Sequence, residues 1–302
     1  MSAVGGRPRE IRLPTESSIQ GQYSLPQWST DGSEIAVAVR RLTGKAIAIV
    51  SLESLETRHV SIPPQEGPFS ADLSWSPDGQ TFAYVDSAGG EMTQLTTDPT
   101  PDWTPRWSPD GTEIAFHAYR SGNREIWVMP SNGGPARQLT THPMADTAPS
   151  WSSDGREIAF TSSRGGDRDL WIVDAGGGEP RLLADGGAYA EWSPDGSSIV
   201  FARNLELWQM PASGGQEERI SAGPGLVPQW SPDGKLLYYL GSLEHSGRLW
   251  ALSPSDGQEV VIADLRGRRG SMKWLSTDGA YLYFTWEQDL GDIWVMDVVC
   301  DE

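Results

Sequence analysis

Cysteine is nearly missing from this 302-residue chain. Cys300 stands alone, so no intrachain disulfide and no thiolate metal cluster can form. Histidine is scarce as well: His59, His117, His142 and His245 share no common position in the repeat that organises the sequence. A metal centre needs several such ligands converging, so no metal is predicted. Basic residues are outnumbered, 23 Lys and Arg against 41 Asp and Glu, for a formal net charge of −18. That balance lacks the basic footprint with which proteins hold nucleic acid phosphates or anionic membranes, and it favours solubility. No apolar run reaches 18 residues, and residues 1–12 lack the apolar stretch of a secretory signal. With Met1 as the native start the expected compartment is the cytoplasm; removal of a signal or anchor would make it the periplasm. The Gly-x-Ser-x-Gly elbow of a serine hydrolase is also missing. The nearest string, Val85-Asp86-Ser87-Ala88-Gly89, lacks the first glycine and lies in a hairpin. No glycine-rich phosphate loop opens a helix, because no convincing helix is present. The expectation is therefore no cofactor, no catalytic residue and no enzyme.

What the chain does have is tryptophan followed, three or four residues on, by Asp-Gly. The copies are Trp28…Asp31-Gly32, Trp75…Asp78-Gly79, Trp107…Asp110-Gly111, Trp151…Asp154-Gly155, Trp192…Asp195-Gly196, Trp230…Asp233-Gly234 and Trp274…Asp278-Gly279. The intervals between the Asp residues are 47, 32, 44, 41, 38 and 45. Such a period marks a repeat architecture. Within the copy at Trp107, strands are predicted over 104–108, 113–118, 125–129 and 136–140, separated by Pro109-Asp110-Gly111, Arg120-Ser121-Gly122-Asn123 and Ser131-Asn132-Gly133-Gly134. Asp, Asn and Gly tolerate the positive φ that tight hairpins demand. Four antiparallel strands in about 40 residues make one blade of a β-propeller. A second column of Trp falls on the third strands (Trp127, Trp171, Trp208, Trp250, Trp294), so 12 of the 14 Trp residues occupy two repeated positions. Wide flat side chains repeated once per blade are expected to fill the wedges between blades, and the repeated Asp to bond its own hairpin backbone.

These counts predict an all-β, seven-bladed propeller over residues 9–298, with short tails at 1–8 and 299–302. The last unit ends on its third strand, and Arg9-Glu10-Ile11-Arg12-Leu13 resembles the fourth-strand sequence Ala136-Arg137-Gln138-Leu139-Thr140. An N-terminal strand is therefore expected to close the last blade, which removes an exposed edge. The 32-residue interval after Asp78 is short. Residues 83–96 align without a gap on 127–140, which predicts a three-stranded second blade with the hairpin between its second and third strands deleted.

The repeated Trp-Ser-Pro-Asp-Gly, the following Ile-Ala-Phe, then Ser-Arg-x-Gly…Ile-Trp-Val-Met and Gly-Gly…Arg-Gln-Leu-Thr resemble the TolB-type β-propeller (PD40, WD40-like) repeat over essentially residues 9–297. The resemblance implies a bacterial propeller with a general binding role. It does not extend to TolB itself, which has six repeats and a separate N-terminal α/β domain.

Function should then reside where the repeat is broken, on the loops of one face. Candidate binding residues are Asp102 and Trp103 (one of two Trp outside the columns), Asp146, Tyr189, and Arg120 and Arg164 in matching turns. The two arginines suit an acidic ligand, or equally a structural pairing with a turn carboxylate. Trp103 suits a binding hot spot, or equally packing over the shortened blade. Arg266-Gly267-Arg268-Arg269 lies in a further loop of this face. The expected activity is a monomeric, non-enzymatic scaffold for a protein or peptide. A detached sensor or regulatory domain of a larger bacterial signalling protein, and a propeller lyase or hydrolase with an axial site, are the alternatives.

Overall fold

A computed structural model of the chain describes residues 98–223 without a break, and 225–264 apart from 232 and 242–247. Downstream it describes the strands Ser271–Thr277, Tyr281–Glu287 and Asp292–Cys300. Upstream it describes residues 3–5, 9–11, 17–18, 27–29, 33–41, 44–51, 54, 56–62, 73–79, 81–84 and 95–96. No helix among these residues is long and apolar enough to cross a membrane.

Four sheets are four-stranded antiparallel meanders of consecutive strands. The Trp107 blade contains Asp102–Trp107, Glu113–Ala118, Glu125–Pro130 and Arg137–Gln138. The Trp151 blade contains Asp146–Trp151, Glu157–Ser162, Asp169–Asp174 and Arg181–Ala184. The Trp192 blade runs from Ala188–Trp192 to Glu218–Arg219, and the Trp230 blade from Gly225–Trp230 to Gln258–Asp264. A fifth blade has its innermost position split between Ser17–Ser18 and Gln27–Trp28, both paired with Glu34–Arg41, followed by Gly44–Ser51 and Thr57–Ile62.

The structure thus corrects the expected blade count: among the described residues five sheets are blades of consecutive strands, not seven. The motif misled because each Trp…Asp-Gly copy reports only a first hairpin, and two of those hairpins do not go on to such a blade. Of one, the described residues show the two-stranded sheet of Leu73–Trp75 and Phe82–Tyr84, where a three-stranded blade was expected. The third strand expected across residues 83–96 falls largely outside the described residues. The other is a composite sheet in which Asp292–Cys300 pairs with both Arg9–Ile11 and Ala3–Gly5, strands from the opposite end of the chain. Inner strands touch in the order Gln27–Trp28, Leu73–Trp75, Asp102–Trp107, Asp146–Trp151, Ala188–Trp192, Gly225–Trp230, Ser271–Thr277 and back to the first, which closes the ring.

The repeated residues hold this ring. The Trp75, Trp107, Trp151 and Trp192 indole N–H groups donate to the backbone carbonyls of Gln27, Ser74, Arg106 and Ser150 respectively, at 2.9, 2.9, 3.0 and 3.3 Å. Each bond therefore ties one inner strand to the preceding one, while the rings pack in the wedge cores. The turn Asp residues are caps. Ser108, Ser152, Ser193 and Ser231 donate to Asp110, Asp154, Asp195 and Asp233 at 2.6–2.7 Å. The same carboxylates accept the backbone N–H two residues on, and glycines at φ 69–73° complete the turns. The Ser193 hydroxyl, then the Ser197 N–H, holds the Asp195 carboxyl down at about 2.

Candidate functional site at the loop face

Inner and third strands begin, and second and fourth strands end, at one face of the ring, and every candidate residue lies there. The structure brings four of them together in two pairs. Arg120 grips Asp102 with Nε and Nη2 at 3.1 and 2.6 Å, and its guanidinium lies 4.8 Å from the Phe116 ring centre and 5.5 Å from that of Trp127. Arg164 donates to Asp146 at 2.5 Å and lies 4.6 Å from Trp171 and 5.5 Å from Phe160. Arg203 repeats the stack over Phe201 and Trp208, paired instead with Glu217 and the Gly186 carbonyl. Recurrence in three successive blades makes this arginine a clamp that covers the third-strand Trp and ties the second-to-third turn to its surroundings.

Trp103 is packed rather than free. Its ring stacks on His117 at 5.4 Å and 18°, and the exposed Arg124 guanidinium sits 5.2 Å from its centre. The His117 imidazole shares a 2.7 Å hydrogen bond with the Thr104 hydroxyl. Burial, aided by Arg124 and Arg106, pushes that imidazole down to about 3, so it is neutral at physiological pH. Thr104, Ala148 and Tyr189 have φ of 48, 53 and 57°, each where an inner strand bulges away from its partner. Holding side-chain-bearing residues in this region costs about 1–3 kcal/mol each, which the closed ring sustains. The bulge leaves Tyr189 exposed, and Tyr119 and Met144 are exposed on neighbouring loops. Arg266-Gly267-Arg268-Arg269 and His245 lie outside the described residues.

Two features escaped the sequence. Glu125 opens a third strand and is buried; it accepts from the Thr140 hydroxyl and the His142 N–H, both at 2.7 Å. Burial pushes its carboxyl up, with the neighbouring Asp146 adding to the rise and the two hydrogen bonds opposing it. Deeper in the ring, Glu191 accepts from Gln229 Nε2 at 3.0 Å on the adjacent inner strand. Burial lifts its carboxyl to about 7, against the pull of Arg106 and the Gln229 bond. Arg106, Ser150, Glu191 and Gln229 all immediately precede a motif Trp. That column varies in chemistry where its neighbours repeat, and this is the signal that could have found it. Among the described residues no three His, Cys, Asp or Glu gather as a metal site.

Comparison with known proteins agrees with this architecture. Residues 90–274 match the TolB beta propeller domain, PD40. No curated protein matches the chain by sequence. Among solved structures, an oligogalacturonate lyase in complex with manganese is similar at a TM-score of 0.79 and 13% identity, covering 98% of this chain and 94% of its own. The oligogalacturonate lyase of Vibrio parahaemolyticus is similar at 0.74 and 14%, covering 99% and 96%. TolB from Acinetobacter baumannii is similar at 0.57 and 21%, covering 78% and 64%. At these identities the likeness is one of fold. The family match, in contrast, takes in more than half of the sequence, including most of the repeated turns, clamps and wedges: the chain belongs to the TolB-type β-propeller domain family.

Proposed function

We propose that this propeller is a non-enzymatic scaffold that binds a protein or peptide through its loop face. The observation that carries the reading is the placement of exposed apolar side chains. Among the described residues the large ones are Tyr119, Met144, Leu182, Tyr189 and Val261, and three of the five (Tyr119 at 44%, Met144 at 46%, Tyr189 at 44%) are on this face. The arginine clamps and strained bulges beneath them supply a rigid base, which lowers the entropy cost of presenting aromatic anchors. The candidate charged residues then act mainly as that base, since Asp102, Asp146, Arg120 and Arg164 are engaged with one another.

The test is capture of partners on immobilised protein, comparing wild type with a Tyr119→Ala, Met144→Ala, Tyr189→Ala triple variant and with a Leu182→Ala, Val261→Ala control. Loss of a saturable partner only in the triple variant, at unchanged thermal stability, is expected. A partner retained equally by both variants would remove the face from the proposal. Cleavage of oligogalacturonate by the wild-type chain, seen as an unsaturated uronate product, would replace the reading with that of an enzyme.

A further inference from the structure

The junction between the Trp107 and Trp151 blades contains a contact that the repeat does not explain. Asp146, the first residue of its inner strand, has no solvent exposure, and Glu125, the first residue of the preceding blade's third strand, is 2% exposed. The Asp146 N–H donates to the carbonyl of Arg124 at 2.8 Å, which sets the Asp146 carboxyl beside that of the adjoining Glu125. Arg164, from the turn of the Trp151 blade, neutralises one oxygen of Asp146 (Oδ2), whereas the buried Oδ1 has no donor if both groups are ionised. The groups around Glu125 supply no second cation: Thr140 gives a hydroxyl and His142 a backbone N–H. The His142 imidazole accepts from the Met144 N–H through Nδ1, and the Arg124 guanidinium lies over Trp103. One buried cation against two neighbouring buried carboxylates leaves a charge that the interior does not tolerate.

We propose that a single proton bridging Glu125 and Asp146 latches the loop of residues 140–146, and that losing the proton releases it. With the proton on Glu125, its hydroxyl donates to Asp146 Oδ1 and every polar atom of the pair is satisfied. The loop is then pinned at several points. Glu125 holds Thr140 and His142, the Asn123 amide donates to the His142 carbonyl at 2.8 Å, and the Asp146 N–H donates to the Arg124 carbonyl at 2.8 Å. Without the proton, two like charges meet in a dry site, and the segment that gives way is the one facing solvent, which includes the exposed Met144. The next blade junction lacks the device. There Asp169 stands where Glu125 does and accepts the Gly186 N–H at 2.9 Å, while the facing inner strand begins with Ala188. The pair is therefore particular to one junction. The latch acts on the loop itself and holds whether or not the face binds a partner.

Amide hydrogen exchange of residues 142–146 in the full chain, corrected for intrinsic rates, tests this against pH, together with the carbon-13 carboxyl shift of Glu125. Protection is expected to fall by about tenfold per pH unit once Glu125 ionises, at a pH above the ordinary glutamate range. In Glu125→Gln, Oε1 still accepts from His142 and Nε2 donates permanently to Asp146 Oδ1, while the Thr140 hydroxyl loses its acceptor, so protection should shift by a constant amount and become independent of pH. Two results would overturn the latch: protection in wild type that does not change with pH, and a Gln variant that keeps the wild-type profile. Titration of Glu125 at ordinary glutamate pH would do the same, and it needs no variant.

Discussion

Replacing Arg164 by Met isolates the energetics of the clamp that underlies the loop face. Met retains much of the apolar contact with Trp171 and Phe160, so the lost quantity is chiefly the ion pair. The Asp146 side chain has 0% exposure and that of Arg164 10%, and the bond is 2.5 Å, which places the pair in the buried class. Removing one partner there strands a charge and costs about 3–5 kcal/mol. Arg181 and Glu157 offer an internal control in the same blade: their side chains are 45% and 35% exposed at 3.1 Å, and a pair this open contributes about 0–1 kcal/mol. Denaturant midpoints at constant m-value should therefore separate Arg164→Met from Arg181→Met by at least about 2 kcal/mol. The double variant Asp146→Asn, Arg164→Met should recover a large part of the loss, because it removes the stranded charge. Equal costs for the two arginines, or a double variant as unstable as the single one, would refute the assignment of Arg164 as a buried clamp.

Asp195, in a turn, titrates at about 2 in the fold, below its ordinary 3.8, so its contribution is present above the ordinary value and is lost as pH falls towards 2. Asp195→Asn should flatten that part of the acid limb of the stability curve, read by circular dichroism across the acid range. Glu191, in the ring interior, has the opposite sign: its folded value of about 7 lies above the ordinary 4.5, so its contribution is complete below 4.5 and is lost as pH rises through 7. Glu191→Gln should therefore lose less stability than wild type as pH rises through that window, and identical profiles would contradict this. Trp151→Phe deletes the 3.0 Å bond to the Arg106 carbonyl along with part of a wedge that is 9% exposed. A loss of about 2–3 kcal/mol is expected in the same denaturant assay, combining the hydrogen bond with the smaller ring.

Turns and wedges were legible because each is chemistry confined to a few adjacent residues and then repeated. Ser-x-Asp-Gly writes its own cap, and at Trp75, Trp107, Trp151 and Trp192 the motif Trp meets a carbonyl of the preceding inner strand. The number of complete blades was not legible, since the motif is silent about the strands beyond its own hairpin. The arginine clamps were readable only in part. Matching turns put Arg120 and Arg164 side by side in the alignment, but only the fold brings Asp102 and Asp146 against them, 18 residues away in each case. Glu125 and Glu191 were hidden for a related reason: each gains its character in part from a residue on a different blade.

The repeat also constrains where function can have been added. A wedge Trp or a turn Asp is committed several times over, so changing one weakens a junction without creating anything new. Freedom lies at positions whose backbone is fixed by the repeat but whose side chain is not used by it. The residue before each motif Trp is one such position, and it holds Gln27, Ser74, Arg106, Ser150, Glu191, Gln229 and Lys273 on successive inner strands. The first residue of each third strand is another: it is Glu125 in one blade and Asp169 in the next, and only the former meets an acid across the junction. In both columns the main chain is fixed by the repeat, so a single substitution changes charge without altering the geometry. Such a scaffold can acquire a buried charge, and with it a dependence on protons, at the cost of one local interaction rather than of the fold.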